Sequence, residues 1–384
     1  MHTLPLTIRG FVFVRTFLSL ILASSLLSAC GGGQNSSTTS TTTESSAAST
    51  DTSGKTQVLE TGSTLLYPLM NEWVSAYQAS HGDVAITTQG TGSGTGIAQA
   101  ISGVAQIGAS DAYLSNGQMA QNAMLNIPLA ISAQQVNYNV PEVGNAHINL
   151  SGPILAGIYM GSVRYWDDAS IKNANAALAS KLPHKEIVPI HRADGSGDTF
   201  LFTGYLSASD SAWKAGPGQS TTISWPANPR AVGATGNPGM LQTAKNTAYS
   251  VAYIGISYLD EANKYGLAYA ALQNKAGKYV LPEPDTISAA ANAGAKAPMT
   301  DGRVSLLDEP ADNAYPIVNF EYAIVNTKQP DAARAKATSD FLAWALKSDG
   351  GQSSQYLSKV HFLPLPASVA SFSQSQLSKI QSAQ

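Results

Sequence analysis

The stretch IVPIHRADGSGDTF, Ile187 to Phe200, carries a strand, a corner and the start of a helix. Ile187 to His191 is a short apolar run with strand character, and Ser196 to Phe200 opens a helical pattern. Two glycines turn the chain between them. A strand that ends in a Gly/Ser corner and resumes as a helix is the unit of α/β architecture. The unit occurs twice more. Gln57-Val58-Leu59-Glu60 runs into Gly62-Ser63-Thr64-Leu65, and Val84 to Thr88 runs into Gly90-Thr91-Gly92-Ser93-Gly94-Thr95-Gly96 and a short helix through Ile101. After the first corner, Leu66, Leu69, Met70, Trp73, Val74 and Tyr77 fall on one face of a 3.6-residue period, with Pro68 tolerated in the first turn.

Outward from these corners, Ala105 to Ala109 reads as a further strand ending in Ser110-Asp111. Ala130 to Val140 is a long strand stopped by Pro141, Pro153 to Met160 a short apolar helix, and Tyr165 to Asp168 a turn into another helix. Tyr249 to Ile256 and Ile317 to Val325 are buried strands, and Ala332 to Leu346 is an amphipathic helix. The long strands at 130–140 and 317–325 suit the two crossings between a pair of lobes. Lobe I is then residues 57–139 plus 320–384 and lobe II residues 140–319; one large mixed sheet is the alternative.

The 384 residues are 12% charged and 43% apolar, with a net charge of -3. No basic cluster is present to steer a polyanion, which excludes a nucleic-acid partner. The first residues stand apart. Arg9 and Arg15 are the only charges up to the end of a Phe/Leu/Val/Ile-rich run from Phe11 to Leu27, the pattern of a signal peptide over residues 1–29. It ends in Leu27-Ser28-Ala29-Cys30, which resembles the bacterial lipobox, and Cys30 is the only cysteine. Lipidation at Cys30 is therefore expected, with anchoring to the lipid bilayer. Residues 30–56, rich in Ser, Thr and Gly, read as a disordered tether.

A helix N-terminus exposes unpaired N–H groups and partial positive charge, so three such corners suit a small anion. Enzyme readings find less support. The loop at 90–96 lacks the lysine of a P-loop and the register of a dinucleotide fingerprint. No Gly-x-Ser-x-Gly elbow occurs, and six histidines are scattered without metal-ligand spacing. No cofactor and no metal are expected. One question remains, since the third corner carries Asp194 and Asp198 where an anion trap wants no fixed negative charge.

GSTLLYP (62–68), QGTGSGTG (89–96), GASDAYLS (108–115) and HRADGSGDTF (191–200), in that order, resemble the PstS family of phosphate-binding lipoproteins of the phosphate ABC importer. YMGSVRYWDD (159–168) and VAYIGISYL (251–259) also look like family segments. The resemblance runs from about residue 57 to the end. It implies a two-lobed periplasmic-binding-protein fold of class II, with mixed sheets flanked by helices and one phosphate in the interlobe cleft. It implies donors from the Thr64 and Leu65 backbone, from the Thr64 hydroxyl and from Ser63 and Ser93. Asp111 would accept a proton from the phosphate, and Arg192, Ser196 and Gly197 would supply guanidinium, hydroxyl and N–H donors. Asp194 matches the family's partner for the arginine. Asp198 departs from the more familiar threonine. Either it donates only its backbone N–H, the carboxylate capping the helix and pointing away, or it is a second acceptor favouring doubly protonated phosphate.

The physical logic agrees with the likeness. Phosphate keeps a proton at neutral pH and sulfate does not, so a buried carboxylate at 111 accepts a hydrogen bond from one and repels the other. Polar mismatches of that kind reject an analogue by about 10⁴ to 10⁵. The expectation is a non-catalytic, monomeric, extracytoplasmic receptor. It would hand inorganic phosphate to the membrane permease and ATPase subunits of an ABC importer. An extracellular phosphohydrolase using Asp111 or His191 as base is the runner-up, and a surface adhesin the third reading.

Overall fold

The computed structural model describes residues 54–296 and 299–383. The signal peptide, the lipidation at Cys30 and all but the last residues of the tether fall outside the described residues.

Nine strands form one mixed sheet: β1 (Thr56–Gly62), β2 (Val84–Gly90), β3 (Ile107–Ser110), β4 (Met124–Tyr138), β5 (Val188–Arg192), β6 (Val232–Ala234), β7 (Ser250–Gly255), β8 (Ala268–Tyr269) and β9 (Val318–Asn326). Their order is β2-β1-β3-β9-β4-β7-β5-β6, with β8 also paired to β4. Strands β1, β2 and β3 run parallel, as do β5, β6 and β7, so each corner at a strand's end leads into a crossover helix. Strand β4 serves both groups. Met124 to Ala133 pair antiparallel with β9, and Gln134 to Tyr138 pair with β7. All fifteen of its residues are buried, as a strand covered on both faces requires.

Strand β4 begins at Met124, six residues before the expected Ala130, and ends at Tyr138, before Pro141. The strand thus runs through Pro128, inside the extra residues. A proline removes a ladder donor and is tolerated at a bulge. Here the register of β9 against β4 shifts between Glu321, opposite Ala130, and Tyr322, opposite Pro128. The bulge absorbs the missing N–H and re-aims the side chain at 321.

Helix α1 (Tyr67–Gln78) buries Leu69, Met70, Trp73, Val74 and Tyr77, the face its period marked, with Pro68 in the first turn. Each such side chain contributes about 1.5–3 kcal/mol by leaving water. Helices α2 (Ser93–Ile101), α3 (Gly152–Met160), α4 (Gly197–Ser209), α5 (Gly236–Asn246) and α6 (Ala332–Ala345) follow. The chain's end returns to β4: Ile131 bridges Leu363, and Ser373 Oγ donates to the Pro128 carbonyl at 2.7 Å. Among the described residues no helix is long and apolar enough to cross a membrane.

Candidate functional site

The three corners, and the end of β3, meet in one place. Ser63, Thr64, Leu65, Ser93, Asp111, Arg192, Ser196 and Asp198 are all buried, none more than 5% exposed. Gly92 N–H donates to the Gly62 carbonyl at 2.7 Å, and Gly94 N–H to the Gly195 carbonyl at 2.9 Å, so the second corner is stitched to both others. Gly62, at φ 144°, packs so tightly on the Ala109 backbone that a Cβ there would overlap it. At Gly197 a Cβ would collide with the Asp111 carboxyl and the Ser93 hydroxyl. Only glycine brings the start of α4 this close.

Within this cluster the protein's own acceptors leave several donors unused. Thr64, Leu65, Gly197 and Asp198 have buried backbone N–H groups with no acceptor among the described residues. Arg192 Nε donates to Asp194 Oδ1 at 2.7 Å, Nη2 to Asp194 Oδ2 at 2.5 Å and Nη1 to Asp198 Oδ2 at 2.9 Å. One hydrogen on each terminal nitrogen is left over. Thr64 Oγ1 accepts from the backbone N–H and the side-chain amide of Asn237, at 3.1 and 3.0 Å, and keeps its own proton to give. Ser196 Oγ accepts the Thr199 N–H at 3.2 Å as the cap of α4 and likewise keeps its proton. Leaving a buried donor unpaired costs about 1–3 kcal/mol. A cluster of them is suited to a guest rich in acceptors.

Acceptors are the exception, and they belong to carboxyl groups. Ser63 Oγ–H donates to Asp111 Oδ1, and Ser93 Oγ–H to Asp111 Oδ2 at 3.3 Å. The Ser63 proton is therefore committed to Asp111. Burial holds Asp111 well above the usual carboxylate range, and the nearby Glu321 and Asp198 carboxyls add to it. Burial likewise works to raise Asp194, but the bidentate Arg192 outweighs it and keeps that pKa low. For Asp198 burial wins over Arg192, Gln134 and Asn237, and its pKa is raised. His191 is half-buried and stacked on Trp225 at 4.6 Å between ring centroids, and burial lowers its pKa.

One of the two readings of Asp198 is corrected. Ser196, not Asp198, caps α4, and the Asp198 carboxylate does not point away. Its Oδ1 accepts from Gln134 Nε2 at 3.0 Å, and its Oδ2 accepts from Arg192 and, at 2.7 Å, from Asn237 Nδ2. Asp198 thus shares the guanidinium with Asp194. That resolves the acidity of the third corner, since two carboxylates are needed to hold one fully buried arginine in place.

The sequence reading missed Gln134, Asn237, Tyr253 and Glu321. Asn237 stands at the start of α5 in Thr235-Gly236-Asn237-Pro238, a fourth strand–glycine–helix corner that could have been recognised. Glu321 is a lone acid within an apolar strand, which was also a signal. Gln134 and Tyr253, whose hydroxyl accepts the Arg192 N–H at 2.9 Å, look like ordinary strand residues in sequence.

A family model described as a PBP superfamily domain matches residues 37–349. The chain is 39% identical over 332 residues to the phosphate-binding protein PstS of Methanocaldococcus jannaschii, covering 81% of this chain and 82% of that one. It is 32% identical over 318 residues to the phosphate-binding protein PstS of Xylella fastidiosa, with 83% and 84% covered. Among solved structures it is similar to a high-affinity periplasmic phosphate-binding protein, PfluDING, bound with phosphate, at 21% identity and a TM-score of 0.65. That match covers 83% of this chain and 93% of the other.

Proposed function

We infer the function from the chain's family: it belongs to the PBP superfamily and, within it, to the PstS phosphate-binding proteins. The chain binds inorganic phosphate outside the cytoplasm and delivers it to an ABC-type phosphate importer. It is a receptor and not an enzyme. The observation that carries this is the surplus of buried donors, from Thr64, Leu65, Arg192, Ser196 and Gly197, gathered around the acceptor Asp111.

The roles follow from the donor count. Thr64 and Leu65 give backbone N–H groups, Thr64 adds its hydroxyl, and Arg192 gives its two remaining N–H groups. Ser196, Gly197 and Asp198 contribute from the start of α4. Ser63 and Ser93 act mainly by fixing Asp111, which accepts the phosphate O–H. Asp194 and Asp198 position Arg192. Each charge-assisted hydrogen bond contributes roughly 1.5–3 kcal/mol, so such a set supports micromolar or tighter binding after the cost of closing.

The two lobes, residues 57–139 plus 320–384 and residues 140–319, would hinge near Tyr138 to Pro141 and Ile317 to Phe320. The change of partners along β4 supports that division. The mature chain is a monomeric lipoprotein held to the cell membrane by acyl chains on Cys30. Its permease and ATPase partners meet it there. A Cys30→Ser variant should leave the membrane fraction for the soluble one, and unchanged partition would count against the anchor.

Nothing in the site favours the phosphohydrolase reading. Calorimetry with phosphate, arsenate and sulfate, beside an assay for p-nitrophenyl phosphate turnover, separates the two. Tight phosphate and arsenate binding without turnover is expected. Turnover that Asp111→Asn abolishes, or sulfate binding equal to phosphate, would overturn the receptor.

A further inference from the structure

The second and third corners meet beside the site with no side chain between them. Gly94 N–H donates to the Gly195 carbonyl at 2.9 Å, one residue from each of the two proposed lobes. A Cβ on Gly94 would stand 2.9 Å from Gly195 Cα, and one on Gly195 would stand 3.2 Å from Gly94 Cα. Next to them, a Cβ on Gly92 would stand 2.6 Å from Asp194 Oδ2 and 2.8 Å from the Gly195 carbonyl oxygen. Backbone lies on backbone, a closeness that glycine permits. Ser93 and Ser196, the neighbours of these glycines in the chain, are 1% and 0% exposed, while Gly94 and Gly195 are half-buried. The glycine seam is therefore the layer between this part of the cluster and water.

Neither side of the seam is free to retreat. A Cβ on Gly96 would overlap the Thr61 and Ala109 carbonyl oxygens and Gly62 Cα, so the start of α2 is pressed onto β1 and β3. The third corner is held from its own side, Ser196 N–H donating to the Thr221 carbonyl at 2.9 Å. An atom inserted at the seam must part the two corners.

We propose that the Gly94–Gly195 seam selects inorganic phosphate over phosphate monoesters, closing fully on the free anion and being held ajar by the carbon substituent of an esterified one. This rests on the phosphate reading and names a basis of selection separate from Asp111. Asp111 tells a protonated anion from an unprotonated one. A monoester that keeps a proton satisfies Asp111 and is refused at the seam, because its substituent occupies the space that the two backbones need in order to meet.

The test puts the obstruction on the protein instead of on the ligand. Gly94→Ala places a methyl group against Gly195 Cα, and Gly195→Ala is the milder variant should the first fail to fold. Neither glycine has a positive φ, so alanine suits the backbone at both positions. Binding of phosphate and of methyl phosphate is measured by calorimetry at about pH 5.5, with competition against phosphate for the weaker ligand. That pH lies below the second ionisation of a phosphate monoester, near pH 6, so both ligands keep an O–H. Wild type should bind methyl phosphate at least about a hundredfold more weakly than phosphate. In Gly94→Ala, phosphate should weaken at least about tenfold, whereas methyl phosphate should stay within about twofold of its wild-type affinity, since the seam is already open in that complex. Equal weakening of both ligands, or undiminished phosphate affinity, would overturn the proposal. So would wild type binding methyl phosphate as tightly as phosphate. Absence of phosphate binding by wild type would instead overturn the receptor reading itself.

Discussion

Thr64 and Asn237 are joined across 173 residues of sequence, the threonine Oγ1 accepting from both the backbone and the side chain of the asparagine. The same amide reaches Asp198, and its carbonyl oxygen accepts the Gly255 N–H at 2.8 Å. Asn237 thus ties the first corner to the third while being anchored on β7. It orients a hydroxyl on one side and the partner of the arginine on the other.

Replacing Asn237 with Ala removes both links. Phosphate affinity should fall by at least about tenfold, from the loss of a hydrogen bond to a charged group and of the order it imposes on Thr64. Calorimetry on the folded variant measures it. An affinity within twofold or so of wild type would show that Thr64 is placed by the helix start alone.

Asp111→Asn changes an acceptor into a donor at the same volume. The variant should lose preference for phosphate over sulfate, with sulfate gaining as phosphate weakens. Thermal shifts with phosphate, arsenate and sulfate report this. Continued rejection of sulfate would move the selectivity to another group.

Gly197→Ala puts a methyl group into the Asp111 carboxyl and the Ser93 hydroxyl. The helix start must back away, and phosphate binding should drop by about a hundredfold or more. Because the strain sits at the corner, circular dichroism should stay that of the wild type. Normal affinity in the variant would mean that the corner is looser than its packing implies.

Stability should depend on pH through Glu60, buried in β1 with Thr88 as its side-chain donor. Burial raises its pKa from 4.5 to about 8, against the opposing hydrogen bonds of Thr88 and Gln89. Below 4.5 both folded and unfolded chains hold the proton. As pH rises the unfolded chain releases it first, so unfolding is favoured increasingly until the folded state ionises near pH 8. The melting temperature should fall over that window. Glu60→Gln should flatten the part due to this residue, and an equally steep fall in the variant would assign the slope to other buried acids.

The corners were legible because each is a local device: a strand, one or two glycines and a capping serine or threonine within a few residues. Their chemistry pointed to the α/β class and the helical face of α1, and the family likeness of the motifs added Thr64, Ser93, Asp111, Arg192 and Ser196 as expected site residues. What each hydroxyl and carboxyl does was decided elsewhere. Ser63 gives its proton to Asp111, Asn237 and Gln134 take hold of Asp198, and Glu321 stands beside Asp111 because β9 pairs antiparallel with β3, Tyr322 opposite Ser110. Ser132 and Glu321, 189 residues apart, share a hydrogen bond only because β9 pairs antiparallel with β4, Asn319 opposite Ser132 and Glu321 opposite Ala130. A hydrogen bond is made over about 3 Å and carries no trace in sequence distance, so its partners come from the packing of the sheet.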